Sequence, residues 1–91
     1  MKRKLIIIGA GGHGKVVADA AWQMRHFKDI CFLDDDEGVS ECGGFPVVGK
    51  SREAEAYIEE ADLFVAVGNP GRRQCIQERL HNMGAALPVL C

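Results

Sequence analysis

The stretch "IIIGAGGHGKVVAD", residues 6 to 19, decides the fold of this chain. An apolar run stops at Gly9, four glycines fall within six residues, and apolar residues then recur at helical spacing. This pattern predicts a buried strand that ends in a tight turn and continues directly into a helix. The N–H groups and the positive dipole end at the start of such a helix favour an anion. We therefore predict a phosphate-binding loop between the strand and the helix.

Two phosphate-binding motifs overlap in this loop. Gly9, Gly11 and Gly14 match the dinucleotide fingerprint G-x-G-x-x-G, and Asp34 follows Gly14 by 20 residues at the end of the next predicted strand. A carboxylate at that place can accept a hydrogen bond from a ribose hydroxyl. The stretch also fits G-x-x-x-x-G-K of nucleotide triphosphatases, but Val16 occupies the position where that motif needs a hydroxyl for magnesium. The first motif is therefore favoured.

The rest of the chain repeats the alternation of strand and helix. The first half of the chain is predicted to form a strand at 4–8, a helix with the apolar stripe Val17, Ala20, Ala21 and Met24, a strand at about 30–34 and an extended piece at 45–48. The second half is predicted to form a helix capped by Ser51, a strand in "DLFVAVGN", a further helix and an extended segment in "AALPVLC". Asn69 is expected to cap that further helix, with Pro70 as its first residue and Gly84 as its stop. This order predicts an α/β fold, a Rossmann-like open, mainly parallel sheet with helices on both faces, as a single domain over residues 1–91.

Composition narrows the functional classes. The 91 residues carry a net charge of −2, which gives no basic field for nucleic acid. The apolar run before the glycines is too short for a signal peptide, and no run approaches the roughly 20 residues of a membrane span. We expect a cytoplasmic protein without a membrane partner. The four cysteines form no C-x-x-C pair, so we expect no metal site, and we expect Cys31 and Cys75 to be buried thiols.

The chain resembles the N-terminal domain of the NeuD/PglD-type sugar acetyltransferases. The resemblance rests on "KLIIIGAGGHGKVVADAA", "ICFLDDD", "FPVVGK" and "LFVAVGNPGRR", which follow in the family's order and cover essentially the whole chain. Members are bacterial enzymes that use acetyl-CoA to acetylate sialic acids or UDP-linked amino sugars. The resemblance therefore implies a domain that binds a nucleotide sugar.

The resemblance also implies roles for individual residues. Gly11, Gly12 and His13 would surround the diphosphate. Asp34 and Asp35 would contact the uridine part. Further expected contacts are Gly68 as a lining residue of the same cleft, and Gly9, Gly14 and Lys15 as phosphate contacts. His13 is expected to contact substrate rather than to act as a base, so no catalytic residue is expected in this chain.

In this family the chain continues into a left-handed β-helix of hexapeptide repeats that carries the catalytic histidine, binds acetyl-CoA and forms the homotrimer. That domain is not in the present sequence, so we expect binding without catalysis and no cofactor. Two alternatives stay open: an NAD(P)-binding fragment of an oxidoreductase, and a stand-alone nucleotide-sensing module. Arg72 and Arg73 begin a predicted helix, where positive charge is unfavourable, so we expect a compensating anion or simple surface charge.

Overall fold

A computed structural model describes residues 4–84 as a five-stranded sheet flanked by helices. The elements are β1 (Lys4–Ile8), α1 (Gly12–Gln23), β2 (Asp29–Leu33), β3 (Glu41–Cys42), β4 (Phe45–Gly49), a 3₁₀ helix (Ser51–Tyr57), β5 (Asp62–Val65) and α2 (Pro70–Asn82). The segment "AALPVLC", predicted to be extended, lies outside the described residues.

The sheet has the order β3-β4-β2-β1-β5 and is parallel except for the short β3–β4 hairpin. The chain moves outward from β1 through β2 to β4, and it then crosses to the other side of β1 to form β5. The strands on either side of β1 are therefore reached in opposite directions, which defines a topological switch point. The predicted fold class, a Rossmann-like α/β sheet that is mainly parallel, is confirmed.

Two apolar cores lie on the two faces of the sheet. Alternate residues of β1 point to opposite faces, so that Leu5 and Ile7 pack on the side of α1 and Ile6 and Ile8 pack on the side of the 3₁₀ helix and α2. Strands covered on both faces read as continuous apolar runs, which explains the unbroken pattern of β1 in the sequence. The prediction of helices on both faces is confirmed.

Three local predictions were wrong. The second helix is a 3₁₀ helix whose N-cap is Lys50 rather than Ser51. The Lys50 N–H donates to the Glu53 carboxylate, and the Ser51 hydroxyl donates to Asp35 and does not cap the helix. The buried stripe of α1 includes Ala18 rather than Met24, whose side chain is 45% exposed. Cys75 lies exposed on α2, whereas Cys31 is buried as predicted.

The polar features of the interior are few. Asp62, at the start of β5, is 1% exposed, and within residues 4–84 neither of its carboxylate oxygens has a hydrogen-bond partner.

Within residues 4–84, no helix is both long and apolar enough to cross a bilayer.

Candidate functional site

A cleft of about 190 Å³ opens at the carboxyl ends of the central strands. Backbone pairing brings these ends together, because the Gly9 N–H donates to the Leu33 carbonyl and the Ala66 N–H donates to the Ile8 carbonyl, both at 2.8 Å. The residues that line the cleft are Ile8, Gly9, Gly11, Leu33, Asp34, Asp35, Ser51, Ala66, Val67, Gly68 and Arg72. The cleft lies at the switch point, where open α/β sheets bind their ligands.

Two glycines of the loop are required by the fold itself. Gly9 has a φ of +109°, and a Cβ added to it would lie 2.9 Å from the Ala66 carbonyl oxygen. A Cβ on Gly14 would lie 2.1 Å from the Gly9 carbonyl oxygen. Both distances are far below van der Waals contact, so a side chain at either position would displace backbone. Gly9 and Gly14 therefore shape the loop.

The other two glycines of the loop face open space. A Cβ added to Gly11 or Gly12 would meet no described atom within 4 Å, and neither residue has a positive φ. No side chain caps the α1 N-terminus among the described residues, whereas the Asn69 side chain accepts from the Arg72 N–H at 3.0 Å and so caps α2. The first N–H groups of α1 also lack intrahelical partners. The loop therefore presents unfilled space beside uncapped backbone donors.

Asp34 ties the glycine loop to the end of β2. Its Oδ2 accepts from the Ala10 N–H at 2.7 Å, and its Oδ1 accepts from the Asp36 N–H at 2.8 Å. A carboxylate has about four acceptor sites, so two of them remain after these bonds. Asp34 therefore has a structural role in this fold, and it keeps capacity for a ligand at the floor of the cleft.

Asp35 joins three elements at the rim of the cleft. Ser51, the first residue of the 3₁₀ helix, donates to Asp35 through its N–H at 3.0 Å and through its hydroxyl at 2.8 Å. The Arg72 guanidinium, in the first turn of α2, also donates to Asp35 Oδ2. The bonds from Ser51, assisted by the Arg72 charge, hold the pKa of the Asp35 carboxyl below its usual range. Asp35 is therefore ionised at neutral pH and compensates the unfavourable charge of Arg72.

The predicted site residues fall into two groups. Gly9, Gly11, Asp34, Asp35 and Gly68 line the cleft together. The remaining predicted residues, which lie in the first turn of α1 and do not line the cleft, are Gly12, His13, Gly14 and Lys15. The methylene chain of Lys15 packs beside Gly43, where a Cβ would lie 3.1 Å from its Cγ, and the His13 side chain is exposed.

Six residues that line the cleft were not assigned to it from the sequence, and two of these, Ser51 and Arg72, are polar. Ser51 was expected only as a helix cap, and its long-range bond to Asp35 leaves no local signal. Arg72 did leave a signal, because a cation in the first turn of a helix opposes the helix dipole unless an anion compensates it. Within residues 4–84, no three His, Cys, Asp or Glu side chains are grouped so as to hold a metal ion.

Comparison with known proteins places these features in context. The family described as the PglD N-terminal domain matches residues 4–80. The acetyltransferase domain of PglB from Neisseria gonorrhoeae FA1090, solved in complex with acetyl coenzyme A, is 44% identical with a TM-score of 0.91, over 99% of this chain and 44% of that chain. A mutant of perosamine N-acetyltransferase from Caulobacter crescentus, solved with CoA and GDP-perosamine, is 29% identical with a TM-score of 0.76, over 90% of this chain and 39% of that chain. This chain therefore spans less than half the length of both proteins.

Proposed function

The chain belongs to the PglD N-terminal domain family, and on that premise we propose that it is the nucleotide-sugar-binding domain of a sugar acetyltransferase. The observation that carries the proposal is the cleft at the switch point. Its walls are largely apolar, Asp34 and Asp35 line it, and it borders the glycine loop before α1, whose N-terminus has no side-chain cap. The similar proteins support it, since one of them is solved with acetyl coenzyme A and the other with CoA and a nucleotide sugar.

The size of the cleft indicates which part of the ligand it holds. Its volume of about 190 Å³ is below the roughly 300–1,000 Å³ of pockets that enclose a drug-sized ligand. We place the nucleoside in the cleft, with Asp34 and Asp35 at its polar end and Gly68 along its wall. The sugar then projects out of the cleft toward solvent.

The diphosphate is proposed to lie over the start of α1. Gly11, Gly12 and His13 offer backbone donors there, and the open space at the two glycines lets an anion approach the backbone. Gly9 and Gly14 act by shaping the loop, and Lys15 adds positive charge beside it.

No catalytic role is proposed for residues of this chain. We propose that residues 1–91 form one binding domain, and that the acetyl-CoA site, the catalytic histidine and the homotrimer contacts belong to a further β-helix domain of the full-length enzyme in the cytoplasm. The isolated chain should then show no acetyl-CoA-dependent acetylation of an amino sugar. Acetylation of the amino sugar by the purified chain would contradict the assignment of catalysis to the further domain.

The oxidoreductase alternative gains no specific support from the site. It depends on Asp34 as the ribose contact, and the two acceptor sites that Asp34 keeps would serve the nucleoside of a nucleotide sugar equally well, whereas the similar proteins named above are acetyltransferases. The alternative of a stand-alone nucleotide-sensing module has the same ligand in the same cleft, and it differs only in that the bound ligand is not acetylated.

Calorimetric titration with a UDP-linked amino sugar tests the proposal. Gly12 and Gly71 lie in the first turns of α1 and α2, and a Cβ fits at either position without overlap. We expect Gly12→Ala to weaken binding at least about tenfold, which corresponds to about 1.4 kcal/mol, because the methyl group occupies the approach of the diphosphate. The matched variant Gly71→Ala should bind as the parent does. Equal affinity of both variants would contradict the proposed path of the diphosphate.

A further inference from the structure

We propose that Asp35 and Arg72 together select the base of the nucleotide, favouring uracil or guanine over cytosine or adenine. The inference rests on the proposed function, because it requires the nucleoside to occupy the cleft. It assigns a specificity-determining role to Arg72, and it gives Asp35 a base-reading role beyond contact with the nucleoside.

The pair presents an acceptor and a donor side by side at the rim of the cleft. Asp35 and Arg72 both line it, and their side chains are 43% and 55% exposed. Asp35 accepts from the Ser51 N–H, the Ser51 hydroxyl and Arg72, which leaves about one of its four acceptor sites. Arg72 has five N–H donors, and its contact with Asp35 uses one of them. Both residues therefore keep capacity for a ligand.

The four bases differ in the order of hydrogen-bond donor and acceptor along the edge that Asp35 and Arg72 would contact. Uracil places the N3–H donor beside the O4 acceptor, and guanine places the N1–H donor beside the O6 acceptor. Cytosine and adenine instead place a ring-nitrogen acceptor beside an amino donor. A carboxylate next to a guanidinium complements the first arrangement. The second arrangement is disfavoured, because the carboxylate would face the ring-nitrogen acceptor and the guanidinium would face the amino donor.

The arrangement is held ready without a ligand. Two bonds from Ser51 hold the Asp35 carboxylate in place and lower its pKa, and the carboxylate is an ionised acceptor at neutral pH. Arg72 contacts Asp35 through one donor and its side chain is exposed, so its remaining donors are accessible to a base. The walls contributed by Ile8, Leu33 and Ala66 are apolar, which suits the flat faces of a base.

Calorimetric titration of the full chain with UDP, CDP, GDP and ADP tests the selection. The four ligands share ribose and diphosphate, so any attraction between Arg72 and the phosphates cancels within each pair of equal ring size. We expect UDP to bind at least about tenfold more tightly than CDP, and GDP at least about tenfold more tightly than ADP, within the range that a good bidentate contact to a base edge provides.

Two methionine variants separate recognition from general effects of charge. Arg79 lies on the same helix and pairs with Glu55 at 3.3 Å away from the cleft, so Arg79→Met removes a comparable exposed cation. Arg72→Met should lower the UDP-to-CDP ratio at least about threefold, with the remaining preference due to Asp35, whereas Arg79→Met should leave the ratio unchanged.

The possible results distinguish failure of the base selection from failure of the proposed function. Equal binding of all four nucleotides, or a preference that Arg72→Met leaves undiminished, would overturn the base selection and leave the proposed function standing. Failure of every nucleotide to bind would contradict both. A preference that Arg72→Met reduces and Arg79→Met leaves unchanged would support the selection.

Discussion

Glycines of one short loop serve two different purposes. Gly9 and Gly14 are confined by neighbouring backbone, whereas Gly11 and Gly12 border open space. The sequence motif does not distinguish these pairs, because the neighbours that confine Gly9 are the backbone atoms of Ala66 and Val67, which follow β5 and are distant in the chain. The first pair therefore belongs to the fold, and the second pair is available to a ligand.

The glycines give a stability prediction. Gly9→Ala and Gly14→Ala should each lower the free energy of unfolding by at least about 1–3 kcal/mol, because both force backbone displacement and Gly9 also has a positive φ. Gly12→Ala should change it by less than about 0.5 kcal/mol. Urea denaturation of the three variants measures the difference. Equal loss of stability in all three would contradict the division.

Asp35 gives a prediction about pH. Its pKa is lowered in the folded chain by the bonds from Ser51 and the charge of Arg72, so its stabilising contribution is complete above the ordinary aspartate pKa of about 3.9 and is lost as pH falls through the lowered value. The side chain is 43% exposed, and solvent screening limits the ion-pair part to under about 1 kcal/mol.

Thermal melts of Asp35→Asn and the parent chain test this sign. The parent should melt at the higher temperature at pH 7, and the difference should shrink as the pH approaches 2. A gap of constant size across that range would show that the carboxylate charge does not contribute.

Among the elements, α2 begins with the clearest local signal. Asn69 accepts from the Arg72 N–H at 3.0 Å, and Pro70 occupies the first helical position, as predicted. Gly84 follows the helix with a φ of +88°, which suits the predicted stop. These features were predictable because the residues that form a helix terminus are neighbours in sequence.

The cap of α2 can be tested directly. Asn69→Ala should cost about 0.5–2 kcal/mol because the N-terminal donors lose their side-chain acceptor, while Asn69→Asp should retain most of the stability. Denaturant titration with helix content as the readout measures both. A loss as large for Asn69→Asp as for Asn69→Ala would show that the side-chain acceptor is not the source of the stabilisation.

Other elements were predictable only in part. The strands other than β3 follow from apolar runs and extended segments, and the mainly parallel sheet follows from the alternation of strand and helix. The order of the strands and the β3–β4 hairpin were not predicted. The sequence does not show that the Ser51 segment is a 3₁₀ helix, because its first residue is engaged by Asp35, 16 residues earlier in the chain. The buried face of α1 was misjudged at Met24, which continues the apolar spacing but is exposed.

At the scale of the whole molecule, the two cores predict the reactivity of the thiols. Burial raises the pKa of Cys31 and of Cys42, which keeps both as protonated thiols, while Cys75 is exposed on α2. Iodoacetamide at pH 7.5 should therefore alkylate Cys75 well before Cys31 and Cys42, as measured by peptide mass spectrometry. In urea the differences should disappear. Native labelling of Cys31 as fast as Cys75 would contradict the burial of β2.

The site as a whole was predictable in outline and not in detail. The carboxyl ends of parallel strands must meet at one edge, so the grouping of Gly9, Asp34 and Gly68 follows from the topology. The partners of Asp35 do not follow, because both come from other elements and depend on how these pack.

The central claim is that this cleft and loop bind a nucleotide sugar, and one measurement tests it most directly. The chain labelled with ¹⁵N is titrated with a UDP-linked amino sugar, and with CMP-sialic acid, NADH and acetyl-CoA for comparison, while amide shifts are followed by NMR. We predict saturable shifts for the UDP-linked sugar, concentrated at the expected contacts Gly11, Gly12, His13, Asp34, Asp35 and Gly68. Shifts with NADH alone, shifts remote from the cleft, or no saturable shifts with the sugar nucleotides would contradict the claim.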